Sequence, residues 1–415
     1  PVHNMMVIHH PEKKVIWDSL NMQPLKEIKA KIDIRNTKTV WGKDLICFFA
    51  DKAFHFYSVA RNKVVKSFQK PGRVSISYKR NRAVISTKGI LELVDLGSWE
   101  TIHQININAS NACFTGDENY IIVSGIFSMS SLYLFSNDLK QKIREIKECG
   151  NHLRATDYVE AHDMLYWAYS IQDGFGYTKI KTPAGVKRNK RRISGVEATK
   201  DKKYLYVLEE YEYVRRYQMA DMRMIGEIKI PHTILCKMAL SGNDEYLAVY
   251  TEEGIYIYDA EQMKLLKILQ EGSCDAIYFM QESSVLAVCK SFEISYYSTN
   301  SWELLATQFH YKNGYFIITQ PDETSEYGWI CTDNTDFINI YKSKSDGAEP
   351  ELLPLDSEIR DKAVKSIVNR EMVINKLFSP GQYEKDAQVL KNMKTQNLNR
   401  NTLENRDLER KMLGK

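Results

Sequence analysis

The amino-acid sequence predicts an all-β fold built from repeated hairpins, followed by an α-helical extension. Three observations support this prediction. A strand-turn-strand pattern recurs along residues 1–355, the copies are evenly spaced, and strand alternation stops after residue 355. A content of 25 Tyr and 43% hydrophobic residues also favours strands and is sufficient for a core.

The clearest copy of the repeat spans residues 240–269 and reads as three strands joined by two turns. A polar turn precedes the apolar residues 246–249, a Glu-Glu-Gly turn leads into residues 255–258, and a second turn leads into residues 264–269. One such unit exposes both faces of a small sheet. It therefore needs neighbouring copies to bury a core.

The second turn of the repeat acts as a ruler, because a large residue recurs in it at steps of 40, 83, 41 and 39 residues. These residues are Trp99, Leu139, Met222, Met263 and Trp302. A period near 40 with about four short strands per copy is typical of a β-propeller. Counting the hairpins predicts a single closed propeller over residues 1–355, with about seven to nine four-stranded blades and about eight or nine favoured.

The repeats resemble those of the WD-repeat family in their turns and strand ends. Polar turns precede the second strand at residues 115–119, 200–203 and 241–245, and third strands end in Ile-Trp-Asp at 16–18 and Ile-Tyr-Asp at 257–259. The repeats are degenerate, since no Gly-His dipeptide occurs and Trp17-Asp18 is the only Trp-Asp. The resemblance implies a propeller that serves as an interaction scaffold.

One dense basic stretch, residues 182–197, is punctuated by Pro and Gly and predicts an exposed loop between two blades. Its cations are Lys187, Arg188, Lys190, Arg191 and Arg192. The stretch fits a solvated loop, or a site for phosphate or an acidic partner. Ser194 is a candidate phosphorylation site, because two arginines precede it closely.

The tail, residues 356–415, has a different composition and holds 13 Lys/Arg and 9 Asp/Glu, which accounts for the net charge of +4. An apolar stripe predicts a helix of about six turns that ends before Pro380. The stripe consists of Ile359, Ala363, Ile367, Met372, Ile374 and Leu377. Shorter helices are expected at residues 383–393 and 402–413. The stripe needs a surface, either on the propeller itself or on a partner, so we predict a helical arm as a second domain.

Enzymatic and metal-binding motifs are not found in the sequence. It contains no G-x-S-x-G, H-E-x-x-H, P-loop or dinucleotide-binding pattern. The 7 Cys include no C-x-x-C pair, which indicates reduced thiols rather than disulfides or a zinc site. We therefore expect no catalytic residues, no cofactor, no metal and no small-molecule substrate.

No run of about 18 to 20 apolar residues and no signal-peptide apolar region is present, so we expect a cytoplasmic protein without membrane insertion. The function predicted is a non-catalytic scaffold for protein–protein interactions inside a larger cytosolic or cytoskeletal assembly. The alternative is an RNA-associated propeller, similar to large-propeller translation initiation factors, with residues 187–192 on phosphate. A propeller hydrolase is disfavoured, because no polar groups can be nominated to converge on its axis.

Overall fold

The computed structural model describes residues 5–9, 13–18, 23–29, 40–41, 45–50, 53–58, 60–61, 63–69, 72–77, 80–87, 89–107, 109–115, 118–125, 131–146, 152–159, 164–170, 176–182, 185–189, 193–209, 212–231, 237–269, 272, 274–280, 284–290, 293–311, 314–323, 325, 328–333, 335, 338, 341–342, 351–352, 358–379, 382–390 and 392. For some of them, such as the strands between residues 152 and 189, only the backbone is described. The chain divides into two compact units, residues 1–19 with 23–273 and residues 20–22 with 274–415.

The described part of the first unit is a series of antiparallel sheets whose strands follow chain order, as in the blades of a β-propeller. A three-stranded sheet comes first and contains β1 (Met5–His9), β2 (Lys13–Asp18) and β3 (Gln23–Lys29). Six four-stranded sheets follow, which we number as blades one to six.

The strands of the six blades have the following bounds. Blade one contains β4 (Val40–Trp41), β5 (Leu45–Ala50), β6 (Ala53–Ser58) and β7 (Lys63–Phe68); blade two β8 (Gly72–Ile76), β9 (Arg82–Thr87), β10 (Ile90–Asp95) and β11 (Thr101–Asn106); blade three β12 (Ala109–Phe114), β13 (Tyr120–Gly125), β14 (Leu132–Ser136) and β15 (Lys142–Ile146). Blade four contains β16 (His152–Val159), β17 (Met164–Ser170), β18 (Gly176–Thr182) and β19 (Gly185–Asn189); blade five β20 (Ile193–Ala198), β21 (Tyr204–Glu209), β22 (Tyr213–Gln218) and β23 (Arg223–Lys229); blade six β24 (Lys237–Leu240), β25 (Tyr246–Thr251), β26 (Gly254–Asp259) and β27 (Lys264–Leu269). Consecutive blades contact each other throughout the series.

The second unit contains a six-stranded sheet, a two-stranded sheet and helices. Its strands are β28 (Ala276–Phe279), β29 (Val285–Cys289), β30 (Glu293–Ser298), β31 (Leu304–Tyr311), β32 (Gly314–Thr319) and β33 (Ile330–Thr332), followed by the pair β34 (Tyr341–Lys342) and β35 (Glu351–Leu352). The helices are α1 (Glu358–Ile367) and α2 (Arg370–Phe378), and residues 382–390 are also helical. An all-β chain with a C-terminal helical piece is thus confirmed.

The predicted number of blades is wrong, because the described residues form six four-stranded sheets rather than about seven to nine. The two ends of the repeat series account for the difference. The N-terminal copy supplies a sheet of only three strands. From β28 onwards the hairpins do not separate into blades, because β31 pairs with β30 on one side and with β32 on the other.

The five residues of the sequence ruler share one backbone conformation. Trp99, Leu139, Met222, Met263 and Trp302 all have positive φ, between 56° and 64°. In each hairpin the register of the two strands then shifts by one residue. A left-handed loop residue combined with a bulge is a common way to close a hairpin between twisted strands.

The side chains of three ruler residues, Trp99, Leu139 and Met263, reach the blade that precedes their own. The Trp99 ring of blade two packs edge-on against Phe56 of blade one, with ring centroids 5.1 Å apart. Met263 of blade six lies against Gly226 of blade five, where an added Cβ would come within 3.1 Å of its Cγ. Leu139 of blade three shares a buried cluster with Leu91 of blade two. The ruler therefore marks contacts between blades.

The polar turns that carry the family resemblance are closed by hydroxyl side chains. In each, a strand-entering Tyr donates its backbone N–H to a Ser or Thr five positions earlier: Tyr120 to Thr115 (3.2 Å), Tyr204 to Thr199 (3.0 Å) and Tyr246 to Ser241 (2.8 Å). At the start of a strand these N–H groups face the turn. The hydroxyl side chains of the turn therefore supply the hydrogen bonds that the N–H groups need.

Acidic residues in the same turns bond the preceding blade. Ser77 Oγ of blade two donates to Glu118 Oε2 of blade three at 2.5 Å. The backbone N–H of Lys200 in blade five donates to Asp244 Oδ2 of blade six at 2.8 Å. Glu118 and Asp244 both adopt positive φ, 64° and 61°. The left-handed turn thus directs a carboxylate towards the neighbouring blade.

The predicted six-turn helix of the tail is two helices. Helix α1 ends at Ile367, and Asn369 is extended, with φ −142°, and caps α2 by accepting the Met372 N–H at 3.1 Å. Val368 forms a parallel bridge with Ile330 of β33, and the Asn369 N–H donates to the Ile330 carbonyl at 2.9 Å. An Asn side chain competes for backbone donors and favours caps over helix interiors, which explains the break.

Candidate interaction surface

The outer strands of blades five and six carry the main concentration of exposed apolar residues in the described part of the chain. In the whole described part of the chain, nine large apolar residues are exposed: Val64, Ile102, Ile143, Met224, Ile225, Leu265, Leu266, Ile268 and Val389. Five of these nine belong to β23 and β27, whereas β7, β11 and β15 carry one each. We call Met224, Ile225, Leu265, Leu266 and Ile268 the outer-strand patch. Its members are 37% to 51% exposed, so the patch is a concentrated apolar surface.

Contacts between blades five and six hold the two parts of the patch in one body. The Tyr206 hydroxyl of blade five donates to the Ala260 carbonyl of blade six at 2.8 Å. Arg216 Nη1 donates to the Glu261 carbonyl at 2.6 Å, and its guanidinium lies 3.9 Å from the centroid of the Tyr204 ring. Burial raises the pKa of Tyr206 to about 12, so its hydroxyl stays a donor at neutral pH. These bonds join blades five and six, whose outer strands are β23 and β27.

The charges on the two outer strands are mostly positive. Arg223, Lys229, Lys264 and Lys267 are exposed on β23 and β27, where the only acidic residue is Glu227. That carboxylate accepts from Arg215 Nε at 2.6 Å and is therefore engaged inside blade five. Lys264 and Lys267 form no ion pair within the described residues. The patch is thus apolar with a basic border.

A buried ion cluster supports β23 from within blade five. Arg215 also donates to the carboxylate of Glu209, whose other oxygen accepts the Tyr217 hydroxyl at 2.8 Å. Burial lowers the pKa of the Arg215 guanidinium, but its hydrogen bonds to Glu227 and Glu209 outweigh this and raise that pKa. A buried charge needs such partners, so the cluster fixes β21, β22 and β23 together.

Glu197 is a half-buried carboxyl in blade five. It stands opposite Tyr206 in the register of β20 and β21, and directly opposed residues lie on the same face of a sheet. Burial raises the pKa of Glu197 to about 7, and the charge of Lys202 offsets this only in part. The sequence analysis did not single out Glu197, because an isolated Glu in a strand gives no sign of its burial.

The basic stretch found in the sequence contains two strands rather than one continuous loop. Lys187 and Arg188 lie in β19, the edge strand of blade four, and Ser194 lies in β20. Lys190, Arg191 and Arg192 lie outside the described residues. Ser194 therefore lies in a different strand, and a different blade, from Lys187 and Arg188. The binding role of the five cations and the modification of Ser194 stay predictions.

The apolar stripe of the tail lies on two helices that pack on their own chain. Met372 and Leu377 are buried, and Ile367 and Ile374 are half-buried. Helix α2 contacts β31, β32 and β33 of the second unit. Ile359 and Ala363 belong to α1, but their side chains lie outside the described residues. This packing favours the intrachain interpretation of the stripe, and its use as a partner-binding arm stays a prediction.

The described residues show neither a cluster of metal ligands nor a membrane-spanning helix. They contain no group of three or more His, Cys, Asp or Glu that could hold a metal ion. None of the described helices is long and apolar enough to cross a membrane. None of the described cysteines, which are Cys47, Cys113, Cys274, Cys289 and Cys331, forms a disulfide.

This chain is similar to solved structures in fold, but not to a known family in sequence. No protein-family model and no curated protein sequence matches this chain. A crystal structure of the eukaryotic initiation factor is similar with a TM-score of 0.57 and 13% identity, covering 74% of this chain and 86% of that one. At this identity the similarity concerns the fold alone.

Two further solved structures are similar at lower TM-scores. The β-propeller domain of Cps50 (Swd1) from Myceliophteria thermophila has a TM-score of 0.43 and 13% identity, covering 61% of this chain and 92% of that one. Hydrazine synthase from Kuenenia stuttgartiensis has a TM-score of 0.47 and 11% identity, covering 66% and 97%. The sheets of this chain themselves support a propeller fold, and membership of the WD-repeat family stays a prediction.

Proposed function

We propose that this chain is a non-catalytic propeller scaffold that binds another protein through the outer-strand patch, as a subunit of a cytosolic or cytoskeletal assembly. The observation that supports the proposal is the concentration of five exposed apolar side chains on the outer strands of two consecutive blades. Soluble proteins rarely expose a large apolar surface without an interaction that covers it. Protein interfaces likewise have an apolar centre and a polar rim.

The energetics favour a specific contact of moderate strength. Full burial of a Leu, Ile or Met side chain stabilises by about 1.5–3 kcal/mol relative to exposure, and the patch residues are already partly covered. Covering the rest of five such side chains would contribute on the order of 5 kcal/mol before the entropy of association is subtracted. Because the patch lies on rigid strands, little of this gain is lost in ordering the surface.

The test compares two sets of substitutions in the tagged full chain. Leu265→Ser, Leu266→Ser and Ile268→Ser together remove the β27 half of the patch, and Ile102→Ser with Ile143→Ser removes exposed apolar residues from β11 and β15 as a control. Co-purifying proteins are quantified by mass spectrometry, and thermal melting confirms that both variants fold. We expect the patch variant to lose at least one partner by about tenfold, and the control to retain it. Identical sets of partners from both variants would contradict the proposal.

A second candidate function, association with RNA, is favoured by the register of blade four. Lys179 of β18 is paired with Arg188 of β19, and like charges at directly opposed positions destabilise a sheet. A bound phosphate would relieve that repulsion. The solved initiation factor with a similar fold is compatible with this candidate but does not argue for it.

Anisotropy of a labelled single-stranded RNA tests the second candidate over a range of salt concentrations. The variant replaces Lys187, Arg188, Lys190, Arg191 and Arg192 by Gln. If these cations bind phosphate, the slope of log affinity against log salt falls by about 0.7 for each phosphate that the variant no longer neutralises. RNA affinity that is equal in both proteins would exclude the basic stretch as an RNA site.

A further inference from the structure

We infer that β27 is a site of strand addition, where an extended segment of a protein partner with alternating acidic and apolar residues pairs as a fifth strand of blade six. This inference rests on the proposed function and specifies the class of partner. Strand addition to an exposed edge is an established mode of recognition, in which backbone hydrogen bonds give affinity and alternate side chains give specificity.

β27 is the edge of its sheet. The strand order of blade six is β24-β25-β26-β27, and among the described strands β27 pairs with β26 alone. An edge strand presents alternate N–H and C=O groups outwards, where an added strand can pair with them. β27 has six residues, which is enough for several such bonds.

Among the outer strands with described side chains, β27 is the most exposed. Its first five residues, from Lys264 to Ile268, are all exposed, and only Leu269 is buried. β23 is less open, because Gly226 is half-buried and Ile228 is buried between blades five and six. β7 and β11 each contain two half-buried residues among their exposed ones. An added strand would therefore meet the fewest obstacles at β27.

The bulge of β27 sorts its side chains into an apolar face and a basic face. Leu265 is paired with Tyr258 and Ile268 with Tyr256, whereas Lys267 is paired with Ile257. Lys264 is paired with Asp259. The register shift falls between the Leu265–Tyr258 pair and the Lys267–Ile257 pair, so Leu266 is the extra residue of the bulge. Because paired residues share a face and neighbouring positions alternate, Leu265 and Ile268 fall on one face, and Lys264 and Lys267 on the other.

This sorting determines which partner sequence fits. A strand has a period of two, so a partner that alternates apolar and acidic residues would place its apolar side chains beside Leu265 and Ile268 and its carboxylates beside the lysines. Edge lysines also repel a second copy of the same strand. The same two lysines would thus exclude pairing between two β27 strands and admit an acidic strand.

β7 of blade one provides a matched comparison within the same chain. There Lys63 is paired with Ser58 and Lys66 with Phe56, so its lysines also share a face. The other face of β7 carries Val64 and Ser67, paired with Tyr57 and His55, in the places of Leu265 and Ile268. β7 therefore has the basic face without a strong apolar face, and its lysines serve as the control positions.

The experiment uses the full chain and a labelled, end-blocked synthetic peptide of about eight residues that alternates glutamate with valine, a length that spans β27 at about 3.4 Å per residue. Fluorescence anisotropy measures its affinity for the wild type. Lys264→Glu with Lys267→Glu should weaken binding by about 2- to 30-fold, from two exposed charge pairs. Lys63→Glu with Lys66→Glu should leave the affinity unchanged.

A second peptide distinguishes strand pairing from side-chain docking. It has the same sequence with alternate backbone amides N-methylated on the pairing edge, and each hydrogen bond removed should weaken binding by about 2- to 10-fold. Hydrogen exchange of the β27 amides should also slow when the unmodified peptide is bound. These two results together would support the inference.

The inference is overturned if the unmodified peptide does not bind, if N-methylation has no effect, or if the β27 and β7 lysine variants behave alike. None of these outcomes depends on the co-purification experiment. A patch variant that loses partners while N-methylation has no effect would leave the interaction scaffold intact and replace strand addition by docking of side chains. A patch variant that keeps all its partners would contradict the scaffold function itself.

Discussion

Two edge strands of this molecule, β33 in the second unit and β27 in the first, end their sheets in opposite ways. Ile330 of β33 is bridged in parallel by Val368, and its carbonyl accepts the Asn369 N–H. The tail thus pairs with the edge that β33 would otherwise expose. At β27 no described residue pairs with the outer side, and its apolar side chains are exposed.

The helices of the tail form a packed cover over β33, with more contacts than the single bridge at Val368. Ile330, Ile338 and Val364 form a buried cluster, against which Ile367 and Val368 pack. Lys376 of α2 donates to the Gln320 carbonyl at 2.7 Å and to the Asp322 carboxylate, which also accepts the Tyr383 hydroxyl. The comparison shows that this chain covers one exposed sheet edge with its own residues. We therefore interpret the open edge at β27 as a site for another chain.

The largest expected effect follows from removing the cover of β33. Deletion of residues 356–415 takes away Val364, Met372 and Leu377, and burial of each such side chain stabilises by about 1.5–3 kcal/mol. We expect a loss of about 5 kcal/mol or more in the unfolding free energy of the second unit, and aggregation through the exposed edge. Thermal melting and light scattering measure both. Truncation after residue 392 is the control, and equal melting of both truncations would contradict the role of the helices as a cover.

The next effect distinguishes buried from exposed apolar residues within blade six. Ile257 is fully buried, so Ile257→Ala should cost about 2–5 kcal/mol by creating a cavity. Ile268 lies on the open edge, and Ile268→Ala should change stability by less than about 0.5 kcal/mol. Chemical denaturation of both variants measures the difference. Equal losses would mean that Ile268 belongs to the core and that the edge is not open.

A pH effect tests the interior of blade five, the blade that precedes the one with the open edge. The carboxyl of Glu197 has a pKa of about 7 in the folded chain against an ordinary value of 4.5. The unfolded state therefore ionises first as pH rises, so stability falls between about pH 4.5 and 7 by up to about 3 kcal/mol. Glu197→Gln should lack this fall, and the difference in unfolding free energy between variant and wild type should grow across that window. Parallel stability curves would show that Glu197 titrates normally.

The smallest effect concerns the Asp322 carboxylate, which holds the helices of the tail through Lys376 and Tyr383. Asp322→Asn removes the charge that holds Lys376 and Tyr383, and hydrogen bonds to charged groups contribute about 1.5–3 kcal/mol. Because Asn still accepts a hydrogen bond, we expect a loss of about 1 kcal/mol, with faster hydrogen exchange in residues 382–390. Lys362→Gln is the control, since its partner Glu358 is exposed on α1. Unchanged exchange in the Asp322 variant would show that the anchor does not hold this helix.

The sequence alone predicted the blade unit well, because its hairpins repeat a local rule. Trp99 and Met263 recur where a left-handed residue closes a hairpin and fills space between blades, so backbone and packing select the same position. The number of blades could not be predicted in the same way. Whether β31 ends a blade or continues into β32 depends on a short turn that looks like any other in the sequence.

The candidate site was less accessible to sequence reasoning. Lys264 to Leu269 reads as an ordinary strand with apolar residues on both sides, and exposure depends on what lies next to it in space. The bulge at Leu266 sorts the lysines from the apolar residues, and a register shift leaves no mark in composition. Likewise, the break at Asn369 depends on its bond to Ile330, which is distant in the sequence.

Several contacts between blades run backwards along the chain, although Tyr206 and Arg216 of blade five reach forward to blade six. Trp99, Met263, Glu118 and Asp244 each reach back from a later blade to the one before it. During synthesis from the N-terminus, a blade that emerges from the ribosome would find its attachment surface already folded. With about 5–20 residues added per second, a blade of about 40 residues has seconds to dock before the next appears. Assembly of the first unit can thus proceed vectorially, with each blade serving as the template for its successor.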